Sequence, residues 1–131
     1  MKSERAAVLD ASAILAMLQK ETGAEKLTDD VLDRSAVSTV NLAEVQGKLV
    51  LKGVAPGEAW MHATAAVESI EAYTGEHAKL AGALIAHTRS LSLSLGDRSC
   101  LALAISLKGE VYTTERAWKK LKLGIPIHVI R

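Results

Sequence analysis

Four acidic residues stand at or near the points where predicted strands end and predicted helices begin. They are Asp10, Glu44, Asp97 and Glu115. In an open α/β sheet, the carboxyl ends of parallel strands and the starts of the following helices lie along one edge, where such folds bind ligands. We therefore expect the fold to bring these four carboxylates together.

Each acid also has a purely structural interpretation. Asp10 and Asp97 can cap helices, and Glu44 can be the second member of a capping box that begins at Asn41. Glu115 is favoured in a first helical turn by the helix dipole. Taken one at a time, these interpretations are at least as well supported as a catalytic role.

Together, the four acids favour a metal site. Clustered carboxylates repel one another and raise each other's pKa unless a cation neutralises them. Mg²⁺ binds oxygen ligands, takes only a few carboxylates and keeps several waters. On a phosphodiester, one or two such ions activate water and stabilise the departing oxygen. The cluster therefore predicts metal-dependent chemistry on a phosphodiester.

The hydrophobic pattern predicts the elements that position these acids. Predicted strands cover residues 6–9, 36–40, 69–73, 110–113 and 127–130. Predicted helices cover residues 12–19, 24–32, 41–52, 56–67, 74–88 and 97–107, with a short helix after Thr114. Ser12 and Thr114 are the expected caps of the first and last helices. Strands separated mostly by helices predict an α/β fold, a three-layer α/β/α sandwich with a mostly parallel five-stranded sheet.

The composition predicts a single domain over residues 1–131 with a sizeable core. Of the 131 residues, 49% are hydrophobic and 24% are charged, so disorder is not expected. The net charge of +1 gives no global field for nucleic acid. After Glu115 the chain has several basic residues and no acid, a pattern that suits either a polyanion or an ordinary solvated surface.

Cysteine usage and hydropathy favour a soluble, cytoplasmic protein. The single Cys100 excludes an intramolecular disulfide and a cysteine-based zinc cluster, and its apolar neighbours predict an inert, buried thiol. No apolar run approaches the ~20 residues that a membrane helix needs. Residues 1–5 and the apolar run after them faintly resemble a signal peptide, but Asp10 interrupts that run and argues against export.

Four segments resemble the motifs of the PIN domain family, and most closely those of VapC-type toxins from bacterial toxin–antitoxin pairs. In chain order they read VLDASAIL (residues 8–15), VNLAEV (residues 40–45), LSLGDRSCLALA (residues 93–104) and YTTERAW (residues 112–118). The resemblance runs from the first predicted strand to the last. All four motifs in order are far more specific than any one of them.

This resemblance implies an endoribonuclease that depends on Mg²⁺ or Mn²⁺. Asp10, Glu44 and Asp97 match the metal-binding acids of the family. Glu115 occupies the fourth position, where the family usually has Asp. Its extra methylene lengthens its reach, so contact with the ion is either direct or through a water.

The resemblance also implies supporting residues and partners. Ser12 and Thr113 match hydroxyl positions that help order the acidic site. Arg98 and Arg116 each follow a site acid, and they either contact RNA phosphates or balance the charge of the cluster. The family further implies a homodimer and a small antitoxin whose tail occludes the active site.

Three other classes of protein are alternatives to the nuclease. A phosphoacceptor signalling domain needs an Asp at the end of the third strand and a Lys at the end of the last, and both are missing. A phosphatase with a nucleophilic Asp10 favours a second Asp two residues later, where the chain has Ser12. A catalytically weak or inactive PIN-fold module that binds RNA or protein remains the alternative.

Overall fold

The computed structural model describes residues 5–131, which contain one five-stranded sheet. Its strands are β1 (Ala7–Leu9), β2 (Ser35–Ser38), β3 (Ser69–Glu71), β4 (Glu110–Thr113) and β5 (Ile127–Val129). Their spatial order is β3-β2-β1-β4-β5, and each neighbouring pair is parallel. The predicted parallel sheet is confirmed. Residues 1–4, the start of the segment that resembles a signal peptide, lie outside the described residues, and the single domain over residues 1–131 stays a prediction.

Helices connect these strands. They are α1 (Ala11–Leu18), α2 (Asp29–Asp33), α3 (Thr39–Leu51), α4 (Pro56–Thr64), α5 (Gly75–Ala83), α6 (Ile85–Thr88) and α7 (Leu95–Leu107). Short 3₁₀ turns cover Ala24–Lys26, Arg89–Leu91 and Arg116–Lys120. Within residues 5–131, no helix is both long and apolar enough to cross a membrane.

Hydrophobic cores lie on both faces of the sheet, because successive side chains of a strand point to opposite faces. Leu9 packs in one core with α1, α3 and α4, where Leu42 is fully buried. Val8 packs in the other core against α5 and α7, where Leu101 is fully buried. Each such leucine contributes roughly 2 kcal/mol by burial. The predicted three-layer sandwich is confirmed, and its packing holds β1 rigidly between the two layers.

The starts of α1 and α7 differ from the prediction. The side chain of Asp10, rather than Ser12, caps α1, because its carboxylate accepts the Ala13 N–H. Helix α7 begins at Leu95, two residues before Asp97, because Ser94 caps it and Asp97 completes a capping box. Both acids therefore have structural roles at the helix starts in addition to any chemical role.

The predicted capping box of Asn41 and Glu44 is wrong. Helix α3 begins at Thr39, where residues 36–40 had predicted a longer strand, because the Ser38 hydroxyl accepts the Val40 N–H and ends the strand early. Asn41 and Glu44 therefore lie inside the helix. There the Asn41 amide donates a hydrogen bond to the Glu44 carboxylate.

Smaller boundaries also differ. The helix predicted over residues 24–32 is a 3₁₀ turn followed by α2, with Thr28 as the cap of α2. Gly23 precedes the 3₁₀ turn with a φ of 96°, and the Ile130 carbonyl leaves no room for a Cβ there. The helix predicted over residues 74–88 is divided into α5 and α6. Thr114 is not a cap, because the last turn is a 3₁₀ segment that no side chain caps.

Candidate active site

Asp10 lies directly after β1 and is 3% exposed. Its Oδ1 accepts hydrogen bonds from the Ser12 hydroxyl at 2.7 Å and the Ala13 N–H at 2.8 Å. Its Oδ2 accepts the Thr113 hydroxyl at 2.7 Å. Because donors fix both oxygens, the carboxylate is held in one position at the carboxyl edge of the sheet.

The two predicted hydroxyls also tie α1 to the segment after β4. The Ser12 oxygen accepts the Thr114 N–H at 3.0 Å, and the Thr113 oxygen accepts the Glu115 N–H at 3.0 Å. Each hydroxyl thus donates to Asp10 and accepts from the backbone. The structure places both Ser12 and Thr113 where they order this acid.

Burial raises the pKa of Asp10 from 3.8 to about 6. The hydrogen bonds from Thr113, Ala13 and Ser12 lower this pKa and offset only part of the effect of burial, while the negative charge of Asp97 raises it further. No lysine or arginine within residues 5–131 forms an ion pair with Asp10. At neutral pH the site therefore carries a buried negative charge that has no cationic partner among the described residues.

Glu44 and Asp97 lie on helices α3 and α7, which contact each other beside β1. Oε1 of Glu44 accepts the Asn41 side-chain N–H at 2.9 Å. Oδ2 of Asp97 accepts the Ser94 N–H at 3.0 Å. Each acid thus has one oxygen fixed by its own helix, and both side chains are half-buried.

Cys100 is buried on α7, and the charges of three acids act on its thiol. Burial raises the pKa of Cys100 well above its ordinary value, and the charges of Asp10, Asp97 and Glu44 raise it further. The predicted burial of Cys100 is confirmed, and a thiol in such surroundings is unreactive.

Glu115 lies at the rim, and its side chain is exposed. Within the described part of the chain, its carboxylate makes no hydrogen bond or ion pair. A cleft of 450 Å³ opens beside it, with lining residues that include Ser12, Lys48, Lys52, Thr114, Glu115 and Arg131. The fourth predicted acid therefore shares a cleft with Ser12, and its side chain is not held in one position.

The two predicted RNA-binding arginines have other contacts. Arg98 donates to the Ala81 carbonyl at 2.8 Å, near the end of α5, where helix carbonyls lack partners within the helix. Arg116 is exposed, and its Nε donates to the backbone carbonyl of Arg131 at 3.3 Å. Neither forms an ion pair with a site acid within residues 5–131. Arg98 therefore links α7 to α5, and Arg116 is the more accessible of the two.

The carboxylates supply the hard oxygen ligands that a divalent cation prefers. Among residues 5–131, however, no three His, Cys, Asp or Glu side chains are close enough to hold an ion on their own. Mg²⁺ often binds one or two carboxylates directly and keeps several waters. Two observations fit an ion held partly through water: Asp10 has no cationic partner among residues 5–131, and the Glu44 carboxylate lies against Gly96, directly before Asp97.

Two further residues, Asn41 and Gly96, belong to this arrangement and were not predicted as site residues. Asn41 bridges Glu44 and the Gly96 carbonyl, the latter at 3.0 Å. Gly96 directly precedes Asp97 and packs against the Glu44 carboxylate. The sequence carries a signal for both, an amide one helical turn before an acid and a glycine beside another acid. Only the packing of α3 against α7 brings Asn41 and Gly96 to the same carboxylate, that of Glu44.

The fold and site together define a doubly wound α/β protein with an acidic centre at the carboxyl edge of its sheet. The sequence model of the PIN domain matches residues 7–123, and the chain belongs to the PIN domain family. Comparison with curated protein sequences gave no match.

Solved structures with a similar fold include a toxin–antitoxin complex from Klebsiella pneumoniae, with a TM-score of 0.71 and 19% identity over 96% of this chain and 98% of that one. DNA-bound VapBC from Salmonella typhimurium gives a TM-score of 0.72 and 19% identity over 95% of this chain and 97% of that one. VapBC2 from Rickettsia felis, bound to a promoter DNA fragment, gives a TM-score of 0.70 and 17% identity over 93% of this chain and 96% of that one. These similarities establish the shared fold.

Proposed function

We propose that the protein is a VapC-type toxin of a toxin–antitoxin pair, a cytoplasmic endoribonuclease that depends on Mg²⁺ or Mn²⁺. The observation that carries this proposal is Asp10, a buried carboxylate fixed by three donors, with its pKa raised to about 6 and no cationic partner among the described residues. Strongly perturbed acids in such surroundings mark functional sites. Membership of the PIN domain family and the fold shared with toxin–antitoxin complexes support the same function.

In this proposal, Asp10, Glu44 and Asp97 hold the metal ion, in part through water. A bound divalent ion supplies positive charge and lowers the pKa of a coordinated water, which phosphodiester hydrolysis requires. Ser12 and Thr113 keep the Asp10 carboxylate oriented, so it does not reorganise when the ion binds. Glu115, whose side chain is exposed, would contact the ion directly or through a water.

The 450 Å³ cleft beside Ser12 and Glu115 suits a single RNA strand. Lys48 lies in the last turn of α3, Lys52 is the residue that follows the helix, and both line this cleft. Lysines in such positions bind phosphates of a nucleic acid without reading its sequence. In this proposal the cleft binds a strand beside Ser12 and Glu115, while the net charge of the chain plays little part.

An antitoxin partner is part of the proposal, and an apolar groove supports it. The groove has a volume of 590 Å³, lies beside Glu44 and is lined by Val50, Leu51 and Pro56 among others. Leu51 is 88% exposed, and Met61 on the neighbouring helix α4 is 69% exposed. Apolar side chains exposed together favour a protein partner. The homodimer is proposed from the family alone, and light scattering of the purified chain tests it.

Cleavage of total RNA tests the enzymatic part. The purified protein, freed of any bound antitoxin, should cleave RNA with Mg²⁺ or Mn²⁺ and lose this activity in EDTA. Asp97→Asn removes the charge but keeps the fold, because its amide oxygen can still accept the Ser94 N–H and preserve the cap of α7. Loss of one ligand charge should lower the cleavage rate by about 100-fold or more. Cleavage that is indifferent to EDTA or to Asp97→Asn would overturn the proposal.

A PIN-fold module that binds RNA or protein without cleavage is the second candidate. Two observations on residues 5–131 favour it. No three ligands are close enough to hold an ion on their own, and the exposed Glu115 carboxylate makes no hydrogen bond or ion pair there. Such a module would bind RNA in a gel-shift assay equally well with EDTA and with Mn²⁺, and would leave the RNA intact. The nuclease instead requires saturable Mn²⁺ binding that is lost with its acids.

A further inference from the structure

We propose that Asn41 is a positioning residue that fixes the Glu44 carboxylate against the first turn of α7, in space that Gly96 keeps open. The expected effect on metal binding rests on the proposed metal-dependent function. The placement of the Glu44 carboxylate by Asn41 does not depend on that function. The test separates the two.

Asn41 is 1% exposed and lies between two helices. Its single Nδ2 group donates to Oε1 of Glu44 at 2.9 Å and to the Gly96 carbonyl at 3.0 Å. One partner is on α3 and the other is in the first turn of α7, directly before Asp97. The amide therefore sets the position of one site acid relative to the helix that carries another.

The geometry requires a donor at this position. Both partners are acceptors, so the reversed amide would point its oxygen at a carboxylate and a carbonyl. Oδ1 of Asn41 is itself buried and has no hydrogen-bond partner within the described residues. A buried oxygen without a partner lowers stability, and an apolar residue would avoid that cost only by leaving the Glu44 carboxylate and the Gly96 carbonyl without their donor. Packing alone does not explain Asn41, whereas the positioning of Glu44 does.

Gly96 is an independent observation that leads to the same conclusion. A Cβ at this position would overlap the Glu44 carboxylate. Gly96 lies within α7 and its φ is not positive, so the backbone there would accept alanine. Glycine inside a helix is less favourable than alanine. Two locally unfavourable residues, Asn41 and Gly96, thus meet at the same carboxylate.

The test compares three variants with the parent protein. Asn41→Leu removes the donor at similar volume, and Gly96→Ala adds the Cβ that would displace Glu44. Thr88→Val is the matched control, because Thr88 is equally buried and donates to the Leu84 carbonyl away from the acids. Mn²⁺ affinity is measured by electron paramagnetic resonance, thermal unfolding by circular dichroism, and the position of Glu44 by crystallography.

We expect Asn41→Leu and Gly96→Ala to weaken Mn²⁺ binding by about 10- to 100-fold, the usual effect of losing a residue that orients a metal ligand. Asn41→Leu should also lower the unfolding temperature, because the Glu44 carboxylate and the Gly96 carbonyl lose their donor. Thr88→Val should lower the unfolding temperature and leave Mn²⁺ affinity unchanged. A purely structural role for Asn41 predicts the same result as Thr88→Val, lower stability with normal Mn²⁺ affinity, and that result would overturn the proposal.

The proposed nuclease function and the positioning role of Asn41 can be contradicted separately. A parent protein that binds Mn²⁺ but does not cleave RNA contradicts the proposed function, while the affinities of the variants still decide the role of Asn41. If the parent protein binds no Mn²⁺, the crystal structures decide. A Glu44 carboxylate that stays in place in Asn41→Leu shows that the amide does not position it. Gly96→Ala provides the same measurement if Asn41→Leu does not fold.

Discussion

Asp10 and Glu115 follow adjacent strands of the sheet, yet their surroundings are opposite. Asp10, after β1, is buried, and three donors fix its carboxylate. Glu115, two residues after β4 ends, is exposed, and its carboxylate has no partner among residues 5–131. The same Thr113 hydroxyl connects them, since it donates to Asp10 and accepts the Glu115 N–H. The fold thus fixes the backbone of both acids but the side chain of only one.

This difference divides the site into a rigid and an adjustable part. A fixed carboxylate needs no reorganisation when it meets a cation, and that preorganisation is a major source of electrostatic stabilisation in active sites. A free carboxylate on a longer side chain can contact the ion, a water or a substrate group in turn. Chemistry should therefore depend strongly on Asp10 and weakly on Glu115.

Asp10→Asn should give the largest effect. Removal of the fixed charge should lower metal-dependent RNA cleavage by about 1,000-fold or more, because a ligand of the ion and its preorganised position are lost together. The fold should persist, since the amide oxygen can still accept the Ala13 N–H that caps α1. Cleavage rates and circular dichroism spectra of the two proteins measure both effects. A folded variant that cleaves at the parent rate would show that the rigid carboxylate is not part of the chemistry.

The stability of the metal-free protein should depend on pH through Asp10. Its pKa in the folded state, about 6, is above the unfolded value of 3.8, so the folded state binds this proton more tightly. The resulting stabilisation is complete below pH 3.8 and is lost as the pH rises through about 6, a change of roughly 3 kcal/mol for a shift of about two pKa units.

Asp10→Asn isolates this contribution from those of other titrating groups. Denaturant unfolding in EDTA between pH 3.5 and 7.5, in steps of about half a unit, should show that the variant gains stability relative to the parent as the pH rises. Saturating Mn²⁺ should restore the stability of the parent above pH 6 by mass action. Parallel pH profiles for the two proteins would contradict the raised pKa and with it the unpartnered charge.

The sheet and the location of the acids follow from local sequence patterns. Strand β1 is a short apolar run, and β1 and β2 are buried throughout, as expected for central strands of a parallel sheet. Because the connections are helices, the parallel arrangement places the residues after β1 and β4 at one edge. Asp10 and Glu115 could therefore be assigned to this edge without any knowledge of side-chain contacts.

Side-chain partners could not be predicted in the same way, because tertiary contacts choose among equivalent local options. Asp10 and Ser12 are both good helix caps, and the choice depends on Thr113, which is 103 residues away in the chain. Asn41 suits a cap as well, but Ser38 occupies that position and leaves its amide to Glu44. Such choices depend on the packing between elements, which the local sequence does not contain.

Glu115→Gln should give the smallest effect and defines the adjustable part of the site. With no partner to lose within the described residues, the substitution should change the unfolding free energy by less than about 0.5 kcal/mol, as is usual for exposed positions. Cleavage should fall by less than about 10-fold, because an outer carboxylate acts through water or through weak contacts. Glu115→Asp, which restores the usual family residue, should match or exceed the parent rate. If Glu115→Gln instead abolished cleavage as Asp10→Asn does, the exposed side chain would have to swing inward and bind the ion directly when metal is present.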